Sequence, residues 1–308
     1  MAKYQYRFFK PAQAAQLRRM ELTVRGVVEG VYAGMHKSPH KGFSIEFAEH
    51  REYVPGDEIK HLDWTVLAKT DRYYIKQYEQ ETNLRATICL DASGSMDFGS
   101  AATTDMRGKT SEPVTKFQYA AVLAASLAFM LSNQQDMVGL IAFDNAIRLE
   151  IPQGNGPSHL DQIFVGLEKL SPGRETDISG TLHLLANKIP RRGLVIVISD
   201  LFDDPDKITS SLEHLRHARH QIVLMHVLDR AEMELAYSRP ITFEDMEDHS
   251  RLQIDPKLIR DDYQREVQAY LDLIKKRCGQ SRIDYLTAYT DVPWDVQIRE
   301  LLRRTSQR

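Results

Sequence analysis

The chain has 308 residues, of which 42% are hydrophobic and 27% are charged, and it carries a net charge of −3 at pH 7. This is the usage of ordinary globular proteins, and the length allows one large domain or two of moderate size. Nucleic-acid binding calls for a strongly basic surface, which this charge balance does not indicate, so we predict no nucleic-acid partner.

Cysteine usage and hydropathy favour a protein of the cytoplasm. Cys89 lies in an apolar run and Cys278 lies near a predicted helix end, so we predict a reducing compartment and no disulfide framework. The N-terminus has no apolar core of signal-peptide length. The most apolar stretch, residues 119–131, is shorter than the roughly 20 residues that a membrane helix needs. We therefore expect a cytoplasmic protein without a membrane span.

Residues 1–85 have a mixed pattern and are predicted to form an N-terminal accessory region. A partial apolar face predicts a helix over about 11–25. Alternation of apolar and polar residues predicts a strand over 72–81.

From residue 86 onward, strands alternate with helices in a single unit that we assign to 86–308. Apolar runs predict strands at 86–91, 137–143, 146–151, 194–199, 221–228 and 283–289. Helices are predicted at about 117–132, 158–170, 179–188, 206–219, 256–277 and 293–304. The stretch at about 230–255 interrupts this alternation as an insertion, and the polar segment 97–116 is predicted to be a loop.

Continuous apolar strands separated by helices indicate a parallel sheet that is covered on both faces. The predicted fold class is therefore α/β, with a doubly wound, mostly parallel six-stranded sheet in the strand order 3-2-1-4-5-6. The strand at 146–151 is expected to be the antiparallel edge, because only two residues, Asp144 and Asn145, separate it from the preceding strand.

Five polar residues are placed to form one site. Asp91, Ser93 and Ser95 directly follow the first apolar strand, Thr176 precedes a predicted helix, and Asp200 ends the strand at 194–199. In open α/β sheets, ligands bind at the carboxyl ends of the strands, where the strand order reverses. We therefore expect these side chains to meet in one crevice.

The oxygen-only character of this set predicts a hard cation. Mg²⁺ is favoured, with Mn²⁺ and Ca²⁺ as alternatives, and the lack of histidine and cysteine argues against zinc. If both aspartates act through water, the metal stays electrophilic and can accept one further ligand. An Asp or Glu carboxylate of a partner protein is the ligand that we expect there.

Some of these assignments have competitors. Asp177 and Thr181 compete with Thr176 as the loop ligand, and Asp203 and Asp204 compete with Asp200. A helix-capping loop would by itself account for one or two of the residues at 91–95.

The five residues Asp91, Ser93, Ser95, Thr176 and Asp200 match, in order, the metal-ion-dependent adhesion site of von Willebrand factor A domains. The chain resembles that family over about 85–230. The resemblance implies that these five residues hold the metal and that the loops around it bind a partner protein.

A second resemblance covers nearly the whole chain. The segment 46–64, with Arg51-Glu52-Tyr53-Val54-Pro55-Gly56-Asp57 and Leu62-Asp63-Trp64, precedes a strand with Glu79 and Glu81 and then the adhesion motif. This arrangement resembles the DUF58 family of bacterial proteins, often encoded beside MoxR-type AAA+ ATPases. The resemblance implies a cytoplasmic adaptor or partner of such an ATPase in protein maturation or complex assembly. It gives residues 57–64 no defined chemistry, and we expect a buried structural cluster there that includes Trp64.

Enzyme functions receive little support. Ser95 does not lie in the G-x-S-x-G turn of serine hydrolases, and no histidine–aspartate pair is evidently placed to activate it. We predict no catalytic residues and no enzymatic activity. A metal-assisted hydrolase and a structural scaffold with a vestigial metal site stay open as alternatives.

Overall fold

The computed structural model describes most of the chain. The described residues are 6–10, 12–15, 17, 45–53, 63–64, 66–67, 72–80, 84–100, 102–104, 110–173, 177–189, 192–235, 237, 241–244 and 251–306. They belong to two compact units, one within Met1–Val31 and Leu84–Arg308, the other within Tyr32–Asn83. The boundary that we predicted near residue 85 stays a prediction.

The smaller unit contains a two-stranded antiparallel ladder. Strand β1 (Ile45–Glu52) pairs with β2 (Tyr74–Gln80), with a β-bulge between Phe47 and Glu49. Asp63 is buried, and its backbone N–H donates to the Tyr74 carbonyl at 2.8 Å. Its carboxylate accepts from the Val66 N–H and so begins a short helical turn. Trp64, the next residue, is 62% exposed, so our expectation of a buried indole is wrong. Residues 54–62 lie outside the described residues.

The larger unit alternates strands and helices. Its strands are β3 (Arg85–Asp91), β4 (Ala102–Thr104), β5 (Thr110–Pro113), β6 (Met137–Phe143), β7 (Ile147–Gly154), β8 (Leu194–Ser199), β9 (Gln221–Leu228), β10 (Ile241–Glu244), β11 (Arg251–Ile254) and β12 (Asp284–Tyr289). Its helices are α1 (Lys116–Asn133), α2 (Pro157–Lys169), α3 (Ile178–Lys188), α4 (Pro205–His217), α5 (Arg230–Glu234), α6 (Pro256–Gln280) and α7 (Trp294–Ser306). Residues 12–15 and 17 are also helical.

One six-stranded sheet organises this unit, in the order β12-β9-β8-β3-β6-β7. All neighbouring strands are parallel except β6 and β7, which are antiparallel. The predicted fold class, strand order and antiparallel edge are therefore confirmed. The strand order reverses at β3, whose neighbours are β6 and β8, so the carboxyl ends of β3 and β8 lie side by side.

Helix α1 lies in the core, as its apolar residues on all sides predict. Fifteen of its 18 residues are buried. The sheet covers one side of the helix, and N-terminal residues cover part of another: Phe8 packs edge-on against Phe117, and Phe9 packs against Phe129 at 4.9 Å and Phe164 at 4.6 Å. Residues near the N-terminus thus complete the core of the larger unit.

The other face of the sheet packs against α3, α4 and α6. Alternate residues of each strand point to this face, as the period of a strand requires. They include Cys89, Val197 and Leu224, which form one buried cluster with Leu182 of α3 and Ile274 of α6. Cys89 and Cys278 are both buried and form no disulfide. Among the described residues, no helix combines the length and apolar character that crossing a bilayer requires.

Two predicted irregular segments contain short antiparallel ladders. Strands β4 and β5 pair within 97–116, which we had predicted as a loop. Strands β10 and β11 pair within the predicted insertion at about 230–255. The ladder within 97–116 has too few alternating residues for a sequence pattern to predict it.

The carboxyl of Asp136, which lies between α1 and β6, should make the stability of the fold depend on pH. Asp136 is buried, its Oδ1 accepts from the Leu84 N–H at 2.9 Å, and its Oδ2 has no hydrogen-bond partner in the described part of the chain. Burial raises the pKa of this carboxyl from its ordinary value of 3.8 to about 7. Between these two values the folded state binds more protons than the unfolded state, so this group lowers stability as the pH rises.

Asp136→Asn removes that ionisation and keeps the acceptor for Leu84. The pKa shift corresponds to about 4 kcal/mol at pH 8, and the unpaired amide N–H of Asn offsets about 2–3 kcal/mol of it. We therefore expect a net gain of about 1.5 kcal/mol, which raises the melting temperature by about 3–6 °C at about 2–4 °C per kcal/mol. The gain should shrink as the pH falls toward 4, because the wild-type carboxyl is then protonated in the folded state and only partly ionised in the unfolded state. Exposed Asp262→Asn is the control. A gain that is the same at both pH values would contradict this reading.

Candidate functional site

The loop after β3 folds around its own aspartate. Asp91 and Ser93 are fully buried, and Ser95 is half-buried in the 3-10 helix Gly94–Asp97. The Ser93 N–H donates to Asp91 Oδ1 at 2.9 Å, and the Ser93 and Ser95 hydroxyl oxygens are 3.1 Å apart. The D-x-S-x-S spacing therefore brings a carboxylate and two hydroxyls together at the end of a strand.

The neighbouring strand contributes to the same site. The Ser199 hydroxyl, at the end of β8, donates to Asp91 Oδ2 at 2.6 Å and accepts from the Leu201 N–H at 2.9 Å. Asp200 follows and is buried as well. Burial, and then the nearby charge of Asp200, raise the pKa of Asp91 to about 7, while hydrogen bonds from Ser199 and Ser93 lower it.

A buried histidine orients the Asp200 backbone. His226 on β9 bonds the Asp200 carbonyl through Nε2 and the Tyr285 hydroxyl through Nδ1, both at 2.8 Å. Because a carbonyl only accepts, Nε2 carries the proton and Nδ1 accepts from the tyrosine. Burial lowers the pKa of His226 to about 4, so the ring is neutral at physiological pH. Both ring nitrogens therefore form hydrogen bonds, which connect β9 with the end of β8 and with β12.

The competing residues have other partners. Asp177 caps α3 by accepting from the Gly180 N–H, and Asp204 caps α4. The Asp203 carboxylate accepts from the Ser179 hydroxyl, and the Thr181 hydroxyl donates to the Asp144 carbonyl. Thr176, the predicted loop ligand, lies outside the described residues, so its role stays a prediction.

Lys116, which is not among the site residues predicted from the sequence, forms an ion pair with Asp200. The Lys116 ammonium donates to Asp200 Oδ2 at 2.8 Å and to Glu232 Oε1 at 2.7 Å. The side chains of Lys116 and Asp200 are each only 3% exposed, and that of Glu232 is 31% exposed. Burial alone would lower the pKa of Lys116, but the charges of Asp200 and Glu232 outweigh it and raise the pKa. This ion network joins α1, the end of β8 and α5.

A sequence signal for Lys116 exists. It is the first residue of α1, after Thr115, which forms a capping box with Gln118. A helix N-terminus favours acidic rather than basic residues, because the helix dipole is positive there. A lysine that begins an otherwise apolar helix therefore indicates a local anion. Glu232 gives no comparable signal, because it lies in the segment that interrupts the strand–helix alternation.

The spacing of the Ser93 and Ser95 hydroxyl oxygens and the hydrogen bonds of Asp91 suit a hard cation. Two neighbouring ligands of an octahedral Mg²⁺, each bonded at 2.0–2.1 Å, are about 3 Å apart. The Ser93 and Ser95 hydroxyl oxygens have this separation, at 3.1 Å. Asp91 already accepts one hydrogen bond on each oxygen, which suits a carboxylate that meets a metal through water. These residues fit the cation that the sequence predicts.

The doubly wound sheet, with the D-x-S-x-S loop and an aspartate at the ends of adjacent strands, defines an α/β protein of the von Willebrand factor A-like class. Residues 49–270 match the family model described as "Protein of unknown function DUF58". The chain belongs to this family, as the sequence resemblance predicted.

Three similar proteins span most of the chain. An uncharacterized protein of Mycobacterium tuberculosis (strain ATCC 25618 / H37Rv) is 28% identical over 289 residues, covering 92% of this chain and 87% of that protein. Conserved hypothetical protein BatB from Bacteroides thetaiotaomicron, known from a crystal structure, has 18% sequence identity and a TM-score of 0.46. The match covers 73% of this chain and 100% of that one. The SpRpn10 VWA domain is 13% identical, with a TM-score of 0.37, covering 70% and 95%.

The ion network predicts a strong coupling between Lys116 and Asp200. Lys116→Met leaves the buried Asp200 carboxylate unpaired and should lower the free energy of unfolding by about 3–5 kcal/mol. The double variant Lys116→Met/Asp200→Asn should lose less than the sum of the two single variants, because it leaves no unpaired charge at position 200. Urea denaturation of the four proteins in metal-free buffer measures this coupling.

Lys188→Met is the matched control, because Lys188 pairs with Glu150 at an exposed site, with side chains 44% and 40% exposed. Its loss should be below about 1 kcal/mol. Additive losses in the double variant would show that Lys116 and Asp200 stabilise the fold independently.

Proposed function

We propose that this protein is a metal-dependent protein–protein interaction module rather than an enzyme. In this proposal Asp91, Ser93, Ser95, Thr176 and Asp200 hold a divalent cation, Mg²⁺ before Mn²⁺ or Ca²⁺. The bound cation supplies an open coordination position, and an Asp or Glu carboxylate of the partner protein fills it. The observation that carries the proposal is the pair of hydroxyl oxygens 3.1 Å apart beside a buried carboxylate, at the point where the strand order reverses.

The charges around the site support a divalent ion. Asp91, Asp200 and Glu232 bring three carboxylates to this region, and Lys116 supplies the ammonium that pairs with two of them. When all four groups are ionised, two negative charges are left, and buried charges need compensation. One divalent cation would supply it and would leave the partner carboxylate as an additional ligand rather than as the main source of neutralisation.

Catalysis is less well supported by the same geometry. A metal-assisted hydrolase needs a general base near the metal. His226 is the histidine that contacts Asp200, and both of its nitrogens already have hydrogen-bond partners within the fold. Asp91 and Asp200 are themselves assigned to the metal.

The family suggests the kind of partner. Because the chain belongs to the DUF58 family, we propose that it works in the cytoplasm with a MoxR-type AAA+ ATPase, as an adaptor in protein maturation or complex assembly. In this proposal the adhesion site recognises either the ATPase or the protein on which the ATPase acts.

Affinity capture from native cytosol tests this function. Tagged wild-type protein in Mg²⁺ should retain a defined partner, and EDTA should release it. Asp91→Ala should lose the same partner, whereas Asp262→Ala, which changes an exposed acid of α6 outside the loops of the metal site, should keep it. Circular dichroism must show that both variants are folded.

The identity of the captured protein decides the second part of the proposal. A MoxR-type ATPase in the metal-dependent fraction supports the adaptor role. Equal capture with Mg²⁺, with EDTA and by Asp91→Ala would show that the metal site is not the recognition surface.

A further inference from the structure

A cavity of about 560 Å³ opens beside the proposed metal site. Asp200 and Lys116 are among its lining residues. The segment 201–203, the end of β9, α5 and the middle of α6 form the rest of its wall. Its volume falls within the range of about 300–1,000 Å³ that is typical of ligand pockets. The proposed metal-dependent contact leaves this cavity without a role.

The apolar stripe of α6 continues into the cavity. Leu271, Ile274 and Cys278, in the second half of the helix, are buried. Tyr263 and Val267 extend the same stripe toward the N-terminus of the helix at helical spacing, but they are only half-buried and line the cavity. The helix therefore presents apolar surface beyond the point where the sheet covers it.

Phe202 adds exposed aromatic surface to the same wall. It lies two residues after Asp200 and lines the cavity, and it is 70% exposed. A single exposed apolar residue is ordinary, but apolar surface that is continuous with a cavity marks a binding site. The Phe202 N–H also approaches Asp200 Oδ1 at 3.4 Å, so the aromatic residue and the predicted ligand belong to one turn.

The charged residues that line the cavity determine which kind of ligand it favours. The lining contains four acids, Asp200, Asp203, Glu232 and Glu266, one cationic residue, Lys116, and the neutral His226. Asp200 and Glu232 already pair with that lysine. Glu266 is exposed and has no hydrogen bond or ion pair within the described ranges of the chain. The free charge of the wall is therefore negative, which favours a cationic group.

We propose that this cavity binds a segment of a protein partner in which an arginine or lysine adjoins a large apolar side chain. The apolar side chain packs against Tyr263, Val267 and Phe202, and the cation pairs with Glu266. Arginine suits this position best, because its flat guanidinium also stacks on aromatic rings. The inference rests on the proposed function, since it gives the recognised partner a second contact beside the carboxylate at the metal.

Short labelled peptides test the cavity directly. The probe carries arginines on both sides of a Leu-Trp pair. One sister peptide has glutamates in place of the arginines, and another has serines in place of Leu-Trp. Fluorescence anisotropy measures each peptide against the full-length protein, in Mg²⁺ and in EDTA. The arginine–Leu-Trp probe should bind about tenfold more tightly than either sister peptide in both buffers, because the cavity itself needs no metal.

Matched variants locate the binding. Glu266→Lys reverses the free charge of the wall and should weaken the arginine–Leu-Trp probe about tenfold. Asp261→Lys makes the same charge change on an exposed residue of α6 that does not line the cavity, and it should bind like wild type. Val267→Trp should also weaken the probe, because the larger ring fills the space.

Three results would contradict the inference, and two others separate it from the proposed function. Equal binding of the glutamate peptide would show that the cavity does not select a cation, and equal binding of the serine peptide would show that it takes no apolar anchor. Self-association that Val267→Trp abolishes would identify a second copy as the occupant. Probe binding without metal-dependent capture would leave the cavity assignment standing and overturn the metal-dependent function. Metal-dependent capture without probe binding would support the metal-dependent function and overturn the cavity assignment.

Discussion

The burial of two aspartates side by side, Asp91 and Asp200, is the constraint on which the organisation of this site depends. Parallel strands of one sheet end at the same edge, so the reversal of strand order at β3 brings the two residues together. Carboxylates removed from water need hydrogen bonds or opposite charge. The surrounding structure supplies both, through the hydroxyl of Ser199, the backbone of Ser93 and the ammonium of Lys116.

The ion network links the site to its surroundings. Lys116 begins the most buried helix of the unit, and its two acceptors lie after β8 and on α5. A cation that binds at the strand ends therefore changes the electrostatic environment of Lys116, and through it that of Glu232, which lines the adjoining cavity. The proposed metal site and the cavity share Asp200, so in this proposal a single partner can contact both. This arrangement joins the proposed metal contact and the proposed cationic anchor in a single recognition surface.

Sequence patterns predicted the sheet because each of its features depends on local spacing. Continuous apolar strands, helical intervals and the two-residue connection before β7 determine the order and the antiparallel edge. The Asp91–Ser95 loop was also predictable from local spacing, because its three polar residues lie within five consecutive positions. The roles of Asp177, Asp203 and Asp204 needed coordinates, because capping and ligation use the same residue types.

Other features depend on long-range packing and gave little or no local signal. The pairing of Lys116 with Glu232 joins residues 116 positions apart, and Glu232 follows no periodic pattern. Trp64 is exposed because Asp63, rather than the indole, is the buried residue at the start of its turn. Hydrophobicity predicts burial on average, but the direction in which a short turn presents one residue depends on its backbone hydrogen bonds.

The location of a bound ion shows whether the strand-end site holds a metal. A crystal of the protein grown with Mn²⁺ and glutamate, measured at the manganese absorption edge, shows the ion by its anomalous scattering. We expect one peak within bonding distance of the Ser93 and Ser95 hydroxyl oxygens, with a glutamate carboxylate on its open side. A peak elsewhere, or none at saturating Mn²⁺, would contradict a metal-dependent adhesion site in this protein.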